Sequence, residues 1–274
     1  MNTPKQVIRT YISLTLLSTL SSSLIFGINT LFLLDAGLSI AQTFAANAFF
    51  TVGQVVFEIP TGVIADLRGR RLSYLMGTIT LLITTLLYFM LWQISGPFWA
   101  WALVSAFLGL GFTFFSGAVE AWLVDALQFT GYKGALESVF AKGQIVAGIA
   151  MLTGSVAGGI IAQMTSLGVP YVLRGGLLLV TFAVASVTMF DLGFKPDRKT
   201  KATKQIKSIF TASIDHGLKN RPVRWIMLAG PFGMGIGIFA FYALQPYLLE
   251  LYGDPEAYSV AGLAAAIVAG AQIG

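Results

Sequence analysis

The sequence predicts an all-α membrane protein, and three observations carry that prediction. Only 11% of the 274 residues are charged, against 56% hydrophobic, whereas a water-soluble domain carries about 25% charged residues. Seven apolar stretches are each long enough for a span, which takes about 20 residues of helix. And 16 of the 17 lysines and arginines fall on one side of the pattern those stretches define. The composition also excludes other classes. With no cysteine there is no disulfide, thiolate metal site or cysteine nucleophile, and one histidine, His216, does not build a histidine-rich metal centre.

The first apolar run, 10–34, follows Lys5 and Arg9 as a signal peptide's core would. It exceeds the roughly 7–15 residues of such a core, and no small-residue cleavage site follows, so it is predicted to stay as the first span. The second and third spans, 41–65 and 72–94, flank a loop bearing Arg68, Arg70 and Arg71. The fourth and fifth, 98–125 and 140–163, are joined by a segment with Lys133 and Lys142. After the sixth, 170–191, comes the longest connection, with nine basic residues from Lys195 to Arg224. The seventh span covers 223–251, and an eighth begins near Ser259. Its 16 residues to Gly274 would rise about 24 Å, short of the roughly 30 Å hydrocarbon core. The chain is therefore expected to stop inside its eighth helix, as a fragment or a truncated product.

Connections after the odd-numbered spans contain no lysine or arginine. The positive-inside rule makes the basic side, with the N-terminus, cytoplasmic, in a bacterial-type inner membrane. The net charge of +5 is thus topological, and no nucleic-acid partner is expected. Arg174 is the exception, about one turn inside the far end of the sixth span. It is expected to snorkel to the interface; facing a translocation path is the other reading. In the long connection Ile206, Ile209, Phe210, Ile214 and Leu218 recur at helical spacing beside Lys204 and Lys207. That predicts an amphipathic helix on the anionic inner leaflet, with Asp215 and His216 as solvated linker residues. The predicted division is a six-span bundle over 1–192, a basic linker over 193–222, and the start of a second bundle over 223–274.

The loop between the second and third spans reads Gly62-Val63-Ile64-Ala65-Asp66-Leu67-Arg68-Gly69-Arg70-Arg71. It resembles the signature of the major facilitator superfamily in letters and in position: a glycine, an aspartate four residues on, then a glycine and two basic residues. Leu67 replaces the usual basic residue. Six spans followed by a long basic linker are also similar to that family's plan. The resemblance implies a major facilitator fold, with a complete N-terminal six-helix bundle plus the start of the second. It implies a secondary transporter, not an enzyme, acting as a monomer without cofactor or metal. It further implies a cytoplasmic latch of Gly62, Asp66, Gly69, Arg70 and Arg71, with Asp125 at the inner end of the fourth span paired to Arg70. Gly62 would let another helix approach closely, Gly69 would take a positive φ, and Asp66 would accept backbone N–H bonds at a helix N-terminus and pair with arginine. The competing reading is that the arginines only fix topology.

The fifth span contains Gly154-Ser155-Val156-Ala157-Gly158-Gly159, similar to the antiporter motif of the drug–proton branch. Gly154, Gly158 and Gly159 would then pack the fifth span against the second bundle; ordinary small-residue packing is the alternative. Ser155 stands where that branch has proline, and Phe107 where it carries an arginine in the fourth span.

Ionisable groups in hydrocarbon persist where they face a cavity or a partner. Glu58 and Glu120 are two such acids. Thr43, Asn47, Thr51, Gln54, Glu58 and Thr61 recur at steps of three or four and form one polar stripe down the second span. Thr113, Ser116 and Glu120 are expected on one face of the fourth span, with Asp125 about 140° away from Glu120. Glu58 or Glu120 is expected to carry a driving proton, since a low-dielectric setting raises a carboxyl pKa toward neutrality; the alternative is a structural hydrogen bond for each. In the family, the first, fourth and seventh spans line the cavity. Ser18, Ser22 and Asn29 share a face of the first, Asn47 and Gln54 lie on the second, and Tyr242 and Gln245 sit beside Pro246 in the seventh. No GxxxxGK[ST] loop is present, and Gly233, Gly235 and Gly237 lie inside a span with no strand before them. The expected function is proton-coupled efflux of small hydrophobic or amphipathic molecules, with a nutrient or metabolite importer of the same fold, or a transport-incompetent receptor or scaffold, as alternatives.

Overall fold

The structure is a computed structural model that describes residues 3–194 and 202–271. Lys195, Arg198, Lys199 and Lys201 of the linker fall outside those residues. The first span is two helices, α1 (Pro4–Phe26) and α2 (Asn29–Asp35). The Thr3 hydroxyl accepts from Gln6 N, with Pro4 in the first turn, a favourable helix start. Between the helices, at Gly27 and Ile28, the axis bends by 48°. Next come α3 (Ile40–Arg68), opened by a Ser39–Gln42 capping box, and α4 (Arg70–Gln93). The fourth span is also broken, into α5 (Phe98–Thr113) and α6 (Ala118–Phe129), with Gly117 left-handed at φ +66°. Then follow α7 (Leu136–Met164) and α8 (Val169–Thr188). The linker forms α9 (Ala202–Ser213) and a π turn over Ile214–Leu218, before α10 (Arg221–Tyr252) and α11 (Tyr258–Ala271). Among the described residues six helices qualify as spans by length and apolarity, with α5 and α6 counted as one, and a seventh if α1 and α2 count as one; α11 is shorter.

The two breaks correct two expectations. Ser18 and Ser22 lie in α1 but Asn29 opens α2, so the three do not share one helix face. Thr113 ends α5 and Glu120 lies in α6, with Ser116 in the turn between, so that face is not continuous either.

The six-span bundle is built from the packed pairs α3–α5, α1–α7, α1–α8, α4–α8 and α4–α5. Its buried apolar residues form two clusters, one at each end. At the basic end Val7, Leu14, Tyr74, Trp122, Leu123 and Met189 pack together. At the far end Ile28, Phe32, Leu33, Trp101, Leu167 and Tyr171 do so, joined by Leu249 of α10 and by Ala257 and Ala261 beside and within α11. The second-bundle helices thus bury apolar side chains at the far end and, through Ala265, Ala266 and Ala269 of α11, partway along α7. Toward the basic end α10 stands away from the bundle, with Trp225 and Phe232 exposed. The amphipathic α9 packs against α3.

The far-end junction depends on close backbone approach. Gly159 of α7 faces α11, where Tyr258 O and the Gly262 Cα lie 2.6 and 3.1 Å from the point a Cβ on Gly159 would occupy. Gly154 and Gly158 do not face the second bundle. They pack on Ser23 and Leu24 of α1, so only one of the three glycines sits where the motif resemblance would put it. A methyl at Gly158 would overlap the Leu24 carbonyl oxygen, a backbone atom that cannot step aside. Gly158→Ala is therefore expected to cost about 1–3 kcal/mol of stability through overpacking. Gly176→Ala on α8, with nothing within 4 Å, should be neutral or stabilising. Thermal unfolding of both variants in one detergent checks the contrast.

Candidate functional site

Two polar regions stand out, a charged cluster at the basic end and a cavity between the two apolar clusters. In the charged cluster Gly69 separates α3 from α4 at φ +108°, a conformation L side chains rarely adopt. This turn lets Arg70 reach back to Asp66, Nη1 to Oδ1 at 2.7 Å, and across to Asp125 of α6, Nε to Oδ2 at 3.6 Å. Its guanidinium also lies 5.5 Å from the centre of the Phe194 ring. Arg71 donates through Nη2 to Ser186 O at 2.7 Å and stacks over Phe190.

Asp191 completes this cluster without any signal in the sequence. Its Oδ1 accepts from Arg71 N at 2.8 Å, so it takes the N-terminal N–H of α4 that Asp66 was expected to bind. It also fills the space beside Gly69, where a Cβ would clash with its carboxylate. Asp191 lies 120 residues from this loop, and its place becomes visible only once Trp122 Nε1, donating to Phe190 O at 2.7 Å, pins the chain after α8. Gly62 departs from expectation too: among the described residues nothing lies within 4 Å of a Cβ placed there, so none of the described helices approaches it closely.

The cavity has two adjoining chambers. Toward the basic end, about 360 Å³ is lined by Tyr11, Ser18, Tyr74, Glu120 and Gln144 among others. Deeper, about 270 Å³ is lined by Asn29, Asn47, Gln54, Tyr88, Arg174 and Tyr242, with Phe26, Phe50 and Leu108 as apolar wall. Ser22, Phe112 and Met151 border both. Of the expected cavity residues, Ser22, Asn29, Asn47, Gln54 and Tyr242 therefore meet in one place, drawn from α1, α2, α3 and α10.

Gln245 does not line it. Its Oε1 accepts from Thr30 N at 2.9 Å and its Nε2 donates to Phe26 O at 3.2 Å. In an unbroken helix those two backbone groups would bond each other, as residues i and i+4. The amide inserts at the bend and satisfies both. The two acids also part company: both are exposed, but Glu120 borders the chamber toward the basic end, while Glu58 accepts from Ser116 Oγ at 2.6 Å outside it.

Arg174 departs most from expectation. It does not snorkel to the interface; it is 2% exposed and lines the deep chamber. Sequence position alone places it about a turn from the helix end. The bend that carries α2 over α8, with Phe32 stacked on Tyr171 at 3.8 Å, is what encloses it.

A multi-span α-helical membrane protein built round a polar cavity is the class these features define. The family model described as Major Facilitator Superfamily matches residues 11–274, and the chain belongs to that family, which sets it among transporters rather than enzymes. It is similar to the uncharacterized MFS-type transporter MJ1560 of Methanocaldococcus jannaschii, with 24% identity over 200 residues, 71% of this chain and 48% of that protein. In fold it is similar to the POT family transporter PepTSo, whose crystal structure it matches with a TM-score of 0.62 at 17% identity, over 98% of this chain and 52% of that one. The chain thus spans about half the length of these relatives.

Asp191 generates a pH prediction. Partial burial holds its carboxyl above the ordinary carboxylate range, outweighing the hydrogen bond from Arg71 N and the charges of Arg71 and Arg70. A folded-state pKa raised above the unfolded value stabilises at low pH, and that contribution is lost as pH rises through the raised value. Relative to wild type, Asp191→Asn is therefore expected to gain melting temperature between pH 4 and pH 7. Paired thermal scans across that range test the sign.

Proposed function

We propose that this chain forms the substrate path and cytoplasmic latch of a secondary active transporter that works by alternating access. The observation that carries the proposal is the adjoining pair of chambers, below a far end closed by the packing of α2, α10 and α11 and bordered at the other by a helix, α10, that stands away from the bundle. A cavity studded with polar groups, lying between two bundles that meet in the far half and part toward the basic end, is what an alternating-access protein requires in one of its states. With the positive-inside rule setting the basic end in the cytoplasm, this is the inward-facing state. The chain then sits in the cell inner membrane with its N-terminus cytoplasmic, acts as a monomer, and divides into bundle, linker and second-bundle start as 1–192, 193–222 and 223–274.

The favoured reaction is proton-coupled efflux of small amphipathic molecules. Aromatic walls beside amide and hydroxyl groups suit such cargo. Of the two acids Glu120 is the better placed to carry the proton, because it lines the chamber; Glu58 is held by Ser116 away from it. An importer on the same fold remains the second reading, favoured by Ser155 and Phe107, which stand where the drug–proton branch has proline and arginine. The direction of substrate movement under an imposed proton gradient separates the two.

Uptake into proteoliposomes of the full-length protein under such a gradient tests the coupling. Glu120→Gln is expected to lower gradient-driven transport at least tenfold while substrate exchange without a gradient persists; Glu58→Gln should stay within about threefold of wild type. Wild-type coupling in both variants would exclude these acids. The latch has its own test. Arg70→Ala removes both ion pairs at the Gly69 turn and is expected to cut transport at least fivefold with membrane insertion within twofold. Normal transport would leave the arginines with topology alone.

A further inference from the structure

We propose that the deep chamber is built for an organic anion, a carboxylate on an apolar body, held by Arg174. The inference rests on the transport reading for its purpose but on separate observations for its content. Arg174 is 2% exposed, and its Nε and Nη2 have no hydrogen-bond partner. No acid neutralises it: among the described residues the ion pairs are Arg70 with Asp66 and Asp125, and Lys219 with Asp215. The groups near enough to feel its charge most strongly are the phenols of Tyr171 and Tyr88. Both phenols are engaged elsewhere, Tyr171 donating to Asn29 Oδ1 at 3.0 Å and Tyr88 paired with Ser105 at 2.6 Å.

A second buried donor lines the same chamber. Asn47 is 6% exposed; its Oδ1 accepts from Asn29 Nδ2 at 3.0 Å, which leaves its own Nδ2 without a partner. The fully buried polar groups left unmet in the lining of this chamber are therefore donors, and one of them carries a positive charge. A buried charge without a partner is costly and persists where something supplies the missing one. A guanidinium offers parallel N–H groups that match a carboxylate's two oxygens. The remaining wall, Ile25, Phe26, Phe50, Leu108, Phe112 and Met151, is apolar and accommodates the rest of the molecule. A neutral solute would leave the charge unmet, and a cation would be repelled by it.

The test compares benzoate, benzyl alcohol and benzylamine, which share a ring and differ in charge, together with inorganic phosphate, which has the charge without the ring. Binding to the full-length protein in detergent is followed by thermal shift and tryptophan fluorescence, with no gradient present. Benzoate is expected to bind at least tenfold more tightly than the other three. Arg174→Gln should abolish that preference and, without ligand, unfold at a higher temperature than wild type, because it removes an unpaired buried charge. Arg174→Lys keeps the charge without the fork and should bind benzoate with intermediate affinity. Equal binding of all four probes, phosphate matching benzoate, a benzoate preference retained in Arg174→Gln, or a lower melting temperature for ligand-free Arg174→Gln would each overturn the assignment. The two readings fail separately. Benzoate binding without any transport would discard the transport reading and keep the anion site; transport of neutral or cationic solutes with indifference to benzoate would do the reverse.

Discussion

A backbone N–H or C=O in hydrocarbon has no water to fall back on, and this constraint shapes the structure most where a spanning helix is broken. The first span breaks at Gly27 and Ile28 because another helix supplies what the break removes. The Gln245 amide of α10 stands between Phe26 O and Thr30 N, donating to the first and accepting from the second. With that substitution in place α2 can tilt by 48°. The tilt sets Asn29 between Asn47 and Tyr171, lays Phe32 on Tyr171 and Trp92, and roofs the deep chamber. Phe26 and Phe241, with ring centres 4.4 Å apart, extend the same seam.

Charge is handled in opposite ways at the two polar regions. At the basic end Arg70 has two carboxylates and an aromatic face, and the Arg71 backbone and side chain are held by Asp191 and Ser186. These groups border water, where an exposed pair gains only about 0–1 kcal/mol, so geometry rather than strength is what the cluster supplies. In the chamber, burial makes each charge costly, yet Arg174 has no carboxylate beside it. Charge is thus partnered at the rim and unpartnered at Arg174 within.

Much of the fold was legible because the bilayer imposes simple rules. Seven apolar runs, the basic side and the loop from Gly62 to Arg71 all follow from length, charge and spacing. The two helix breaks were not legible. Gly27 and Gly117 are single glycines in apolar runs, and glycine inside a spanning helix is ordinary; what decides a break is a partner elsewhere, Gln245 in one case. Residues joined over long separations were lost for the same reason: Asp191 binds a loop 120 positions earlier, and Gln245 a span 215 positions earlier. Arg174 was misplaced because counting residues from a helix end gives its depth in the membrane but not whether protein or lipid covers it. The polar residues of the second span make one stripe by spacing, but the stripe divides in three. Asn47 and Gln54 reach the chamber, Thr61 is bonded to the α5 backbone, and Glu58 lies outside.

The amide bridge at the first bend also orders the protein's biogenesis. Helices leave the ribosome and enter the membrane from the N-terminus onward, so residues 26 to 30 reach the bilayer long before residue 245 is made. During that interval the Gln245 amide is not there to bridge Thr30 N and Phe26 O. The bend as it stands in the folded chain, and with it the placement of Asn29 and the roof over Arg174, needs the seventh span to supply those two side-chain bonds. The cavity is therefore a late product of synthesis, finished by the half of the protein that did not supply most of its walls.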